Sequence, residues 1–124
     1  MKYLLITILI LGLVGLARAH QAESSRAKQA WQQIDHGALI LDVRTAEEFA
    51  SGHLDGALNI PHTVVAQHLD EIGTDKEHPI VLYCKSGGRA GRALKTLQSL
   101  GYTHLYNGGG LLEMQKAHRE AGSE

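Results

Sequence analysis

Ile80-Val81-Leu82-Tyr83-Cys84-Lys85-Ser86-Gly87-Gly88-Arg89 is the stretch on which the reading turns, continued by Ala90-Gly91-Arg92-Ala93-Leu94. Its apolar run predicts a buried strand that ends in a thiol. A loop of glycine and cationic residues follows, and a helical pattern begins near Arg89. Strand, glycine-rich loop and helix N-terminus together gather backbone N–H groups around whatever the sulfur carries. Such surroundings lower a thiol's pKa.

Outward from this stretch, helical and strand patterns alternate. Ser24 and Ser25 open a helix to about His36, with Ala27, Ala30, Trp31 and Ile34 on one face. Gly37 stops it. Ala38 to Val43 reads as a buried strand. Thr45-Ala46-Glu47-Glu48 fits a capping box and predicts a brief helix ending near Gly52. Ala57 to Ile60 is a second short strand, closed by Pro61. Thr63 to Ile72 reads as one helix, and Asp75 to His78 as a polar turn. The helix after Cys84 should run from Arg89 to Leu100, with Ala90, Ala93, Leu94, Leu97 and Leu100 on one side. His104 to Tyr106 is read as a strand, Asn107 to Gly110 as a loop and Leu111 to His118 as a last helix. Strands apolar on both faces, alternating with helices, predict an α/β sandwich with a parallel sheet between helices. Ligands of such sheets sit outside the carboxyl ends of the strands, where Cys84, Asp42 and Arg44 all fall.

At 124 residues, with a formal charge of −1, the chain is sized for one small domain. No basic block points to nucleic acid. The eight histidines are scattered, with no H-x-x-x-H pair and no second cysteine, so no metal site is expected. His62, His68, His78, His104 and His118 read as surface residues. Tyr83, Trp31 and Phe49 read as packing.

Residues 1–19 read as a cleavable signal peptide. Lys2 gives a positive start, Leu4 to Leu16 an apolar core, and Ala17-Arg18-Ala19 a small-x-small cleavage site. That core is shorter than the roughly 20 residues needed to span a bilayer. Cleavage leaves residues 20–124 as the domain, starting at His20, and losing Lys2 and Arg18 takes the formal charge from −1 to −3. The expected location is the periplasm, with no stable membrane association after cleavage. In that oxidising compartment a single cysteine has no intramolecular partner.

Four residues separate Cys84 from Arg89. Gly87 and Gly88 allow the positive φ that points successive N–H groups inward. The helix dipole, Lys85 and Arg89 add positive potential. The candidate nucleophile is therefore Cys84, and the candidate anion cradle is Lys85, Ser86, Gly87, Gly88 and Arg89. The competing readings are a core thiol at Cys84, a solvated Lys85, and an Arg89 paired to a carboxylate.

Residues 38–114 resemble a single-domain rhodanese of the small, exported, phage-shock-protein-E-like kind. The resemblance rests on Leu41-Asp42-Val43-Arg44 with Glu47-Glu48-Phe49, and on Gly52-His53-Leu54-Asp55-Gly56-Ala57-Leu58-Asn59-Ile60-Pro61. Tyr83 to Arg89 and Leu105-Tyr106-Asn107-Gly108-Gly109 complete it. The resemblance implies a three-layer sandwich with a mainly parallel sheet, no cofactor, and a monomer. It implies a thiosulfate sulfurtransferase: Cys84 takes the outer sulfur of thiosulfate as a persulfide and passes it to cyanide or a thiol. Cationic loops in this family go with thiosulfate and neutral ones with mercaptopyruvate. Asp42 and Arg44 are implied as structural support, with His53 and Asn59 fixing connections. Two departures stand out: Ala90 replaces a common serine after the loop arginine, and no tryptophan follows the late glycines.

Two other functions use similar residues. Cysteine phosphatases and arsenate reductases place five residues between Cys and Arg, one more than here, which makes a wider cradle. A non-catalytic persulfide carrier would use the same thiol. It would differ from an enzyme by lacking steady-state turnover with thiosulfate and cyanide.

Overall fold

A computed structural model describes residues 25–122. The expected signal peptide and the segment up to Ser24 lie outside the described residues. Helix α1 occupies residues 25–35, and strand β1, Leu39–Asp42, follows the turn at Gly37. The short helix α2, Ala46–Ala50, carries the expected capping box: the Glu48 N–H donates to the Thr45 hydroxyl, and the Glu48 carboxylate accepts from the Thr45 N–H. Strand β2 is Leu58–Asn59.

The segment read as one helix over 63–72 is two. His62–Gln67 is a 3-10 turn, and α3 is Leu69–Ile72, with the chain turning at His68 (φ −125°). Val65 and Ile72 are the residues that reach the core, one from each piece. Strand β3 is Ile80–Cys84 and helix α4 is Gly88–Ser99. Strand β4, Leu105–Gly110, extends through the glycines that read as a loop. Helix α5, Leu111–Gly122, runs one turn past His118.

The four described strands pair in the order β2-β1-β3-β4, all parallel. The chain moves outward in one direction from β1 and in the other from β3, so the topological switch lies between those two strands. Cys84 ends one of them and Asp42 the other, which puts both at the crevice where such sheets bind ligands.

Alternation along β1 and β3 divides the core. Leu41, Ile80, Leu82 and Cys84 pack with Ala90, Ala93, Leu97 and Val65 on the α3–α4 side. Ile40, Val81 and Tyr83 pack with Ala27, Ala30, Met114 and Ala117 on the α1–α5 side. Three layers result, as expected. Each fully buried leucine, such as Leu41, Leu82 or Leu97, stabilises the fold by roughly 1.5–3 kcal/mol relative to exposure. Met114, buried within α5, fills space near the end of a sequence region that carries no tryptophan.

Candidate active site

β3 is buried along its whole length, and its last residue, Cys84, is 1% exposed. The chain then turns sharply. Gly87 adopts φ +99° as the residue preceding α4, a conformation that a side chain disfavours. This turn brings the Gly87 N–H to 3.0 Å from the Cys84 sulfur, to which it donates. Burial pushes the Cys84 thiol up, but the backbone N–H groups of Ala90, Ser86, Gly87 and Arg89 outweigh it, and the thiol lies below its ordinary value. The donors come from the loop and the first turn of α4, where N–H groups have no intrahelical partner.

The cations stand differently from one another. The Arg89 guanidinium binds the Glu48 carboxylate in a fork, at 2.7 and 2.9 Å. Glu48 is held well below its usual range, to about 2, first by these Arg89 bonds and then by the Thr45 cap. Arg89 thus joins α2 to the loop. Lys85 and Ser86 are exposed, and Gly88 lies at the surface beside them.

Three contacts brace the loop from behind. Asn107 on β4 donates Nδ2 to the Gly87 carbonyl at 3.0 Å and accepts from the Gly109 N–H at 2.9 Å. Gly110 pairs with Cys84 across the sheet, and a Cβ there would overlap the Lys85 carbonyl group, with the carbonyl carbon at 2.7 Å. Arg26 on α1 makes a two-pronged bond to Glu113, at 2.8 Å on each prong, and lies against Gly87.

Asp42 and Arg44 close on each other at the end of β1. Asp42 is fully buried and takes the Arg44 guanidinium at 2.7–3.1 Å and the Arg44 N–H at 2.9 Å. Arg44 also donates to the Gly52 carbonyl at 2.7 Å, and its guanidinium lies 5.7 Å from the centre of the Tyr83 ring. Burial, then Asp42, holds the Tyr83 phenol above its usual value, and its oxygen accepts from the Leu54 N–H. Asn59 donates to the Asp42 and Arg44 carbonyls. His53 stacks on Phe49 at 3.6 Å and bonds the Phe49 carbonyl. Among the described residues no cluster of His, Cys, Asp or Glu is arranged to hold a metal ion.

The structure brings Cys84, Ser86, Gly87 and Arg89 together and leaves Lys85 at the rim. Sequence reasoning missed Glu48 as a loop partner, Asn107 and Gly110 as braces, and Arg26 altogether. Glu48 carried a signal only as a helix cap. The glycine run at 108–110 signalled a turn, although its function here is close approach.

A cavity of about 470 Å³ lies elsewhere, lined by Trp31, Ile34, Ile40, Leu54 and His118 among others, with no residue of the Cys84 loop.

Residues 26–116 match the rhodanese-like domain family. A Bacillus subtilis (strain 168) protein, YqhL, is 47% identical over 70 residues, covering 56% of this chain and 54% of its own. Thiosulfate sulfurtransferase PspE of Escherichia coli (strain K12) is 36% identical over 74 residues, covering 60% of this chain and 71% of its own. The chain therefore spans about half of the first relative and more of the second. Among solved structures, a rhodanese with anions from E. coli superposes with a TM-score of 0.59 at 35% identity, covering 62% of this chain and 91% of the other.

Proposed function

The chain belongs to the rhodanese-like family, and we propose that it transfers sulfane sulfur through a persulfide on Cys84, with thiosulfate as donor. The observation that carries this is the ring of backbone N–H groups around a depressed thiol, with Gly87 donating at 3.0 Å. The thiolate attacks the outer sulfur of thiosulfate. The S–S bond breaks, its electron pair leaves with sulfite, and the sulfur stays on Cys84 as a persulfide anion. Cyanide or a thiolate then attacks the outer persulfide sulfur and restores the Cys84 thiolate. Charge is conserved in both steps, so no proton transfer is required at the sulfur. N–H groups pointed at a fixed anion stabilise the charge wherever it moves along the S–S axis.

Lys85, Ser86, Gly87, Gly88 and Arg89 are the proposed binding residues for the donor, Arg89 through its backbone N–H, since its guanidinium is held by Glu48. Asp42 and Arg44 are proposed as support: a buried charge pair that fixes the end of β1 beside the crevice. We further propose that residues 1–19 direct export to the periplasm, where a monomeric, phage-shock-protein-E-like domain acts. N-terminal sequencing of the periplasmic protein, starting at His20, is the expected result.

Mass spectrometry of the intact protein after thiosulfate treatment tests the reaction. A gain of one sulfur atom on the Cys84 peptide, absent in Cys84→Ser, is expected. Thiocyanate formation by Cys84→Ser at the unaltered rate would overturn it. Loading without steady-state turnover would identify a carrier instead.

A further inference from the structure

Arg89 is one of the two cations in the Cys84 loop, yet its guanidinium is already occupied. Both of its outer nitrogens are engaged by Glu48, at 2.7 and 2.9 Å, and the two side chains are only partly exposed, at 23% and 31%. The carboxylate is itself anchored, because Oε1 also accepts from the Thr45 N–H and hydroxyl. It cannot swing away without undoing the N-cap of α2. Lys85, by contrast, is exposed, and its side chain makes no hydrogen bond or ion pair among the described residues. Of the loop's own two cations, Arg89 is paired with a carboxylate and Lys85 is not, while Arg26, which also lies against the loop, is paired with Glu113.

Glu48 reaches the loop through Arg89, which it holds at 2.7 and 2.9 Å. Arg89 feels the charge of Cys84 as well as that of Glu48. A carboxylate bonded to Arg89 offsets part of that cation's charge and so opposes the arrival of an anion at the loop, a dianion twice as strongly as a monoanion at the same place.

We propose that Glu48 is a specificity-determining residue that, acting through Arg89, lowers the preference of the Cys84 loop for dianionic over monoanionic sulfane donors. The proposal rests on the sulfur-transfer reading above and deepens it. Glu48 touches neither donor. It sets the potential of the cradle, while the backbone N–H groups supply the geometry that both donors share. The favoured donor class then extends to monoanions of the form R–SO2–S⁻, which deliver the outer sulfur and leave as sulfinates. In that reaction the Cys84 thiolate forms the new S–S bond, the donor S–S bond breaks, and the electron pair departs with the sulfinate.

The test compares thiosulfate with methanethiosulfonate, which replaces one charged oxygen of thiosulfate by a methyl group. Cyanide is the acceptor for both. Glu48→Gln removes the charge and keeps the N3 side chain of the α2 capping box, since glutamine serves in the same motif. The expected kcat/KM gain is roughly five- to tenfold for thiosulfate and about its square root, two- to threefold, for methanethiosulfonate. Glu48→Asp keeps the charge and should restore the ratio of the two donors. Thermal unfolding of both variants reports on folding separately. Parallel losses with both donors would make Glu48 a brace for Arg89 and overturn the proposal, as would an unchanged ratio in Glu48→Gln. If neither donor loads Cys84 in the unaltered protein, the sulfur-transfer reading is what fails, and the specificity claim falls with it.

Discussion

Asn107 on β4 donates its side-chain amide to the Gly87 carbonyl at 3.0 Å, and Gly87 in turn donates its N–H to the Cys84 sulfur at 3.0 Å. A strand at the edge of the described sheet thereby holds the peptide that faces the thiol at the end of β3. The sulfur's environment is set by backbone direction, and backbone direction is set from a distance.

Asn107→Ala removes that hold. It leaves the Gly109 N–H without its side-chain partner, at a cost of about 1–3 kcal/mol, while the Gly87 carbonyl keeps only the Gly91 N–H, at 2.9 Å. Urea denaturation should register this loss. The alkylation midpoint of Cys84 should also rise, because a loosened Gly87 donates less well. A stability loss with an unmoved midpoint would mean that Asn107 supports the fold without shaping the site.

Arg44→Ala should be more damaging. Asp42 is fully buried and its carboxylate depends on the Arg44 side chain. Removing one member of a buried pair costs about 3–5 kcal/mol, because the remaining charge has lost its compensation. A loss of under about 1 kcal/mol in urea denaturation would show that water or another group reaches Asp42.

Glu48 predicts a response to acid. Its carboxyl is held at about 2, below the ordinary 4.5, with Arg89 as the first cause. A carboxyl depressed in the folded state stabilises it above the unfolded value. That contribution fades as pH falls from about 4.5 towards about 2. Between about pH 6 and about pH 3, the unaltered protein should therefore lose more stability than Arg89→Ala, in which the cause of the depression is gone. Equal losses would indicate that the bond to Arg89 does not persist in solution.

Much of this was legible in the sequence because it is local. The Thr45–Glu48 capping box lies within one turn, and the face of α4 repeats at helical spacing, so Ala90, Ala93 and Leu97 fell where the pattern placed them. The strand ending in Cys84 was readable from its apolar run. The misreadings have a common cause. Gly108, Gly109 and Gly110 look like a turn, but they continue β4 past an irregularity opposite Leu82 and Tyr83, because the strand must approach the Lys85 backbone without a side chain. The 62–72 segment has helical spacing, yet packing of Val65 and Ile72 against one core divides it at His68. In the site, Cys84 and its loop are contiguous and could be read. Glu48 meets Arg89 across 41 positions and Asn107 meets Gly87 across 20, and no single-chain pattern encodes such distances.

The most direct measurement is the pH dependence of Cys84 alkylation, followed in the unaltered protein and in Lys85→Ala. If backbone N–H groups hold the thiolate, the midpoint lies below the free-thiol value of about 8.5, and Lys85→Ala leaves it in place while raising the KM for thiosulfate. A midpoint at or above that value, or one that climbs when Lys85 is removed, would contradict the account.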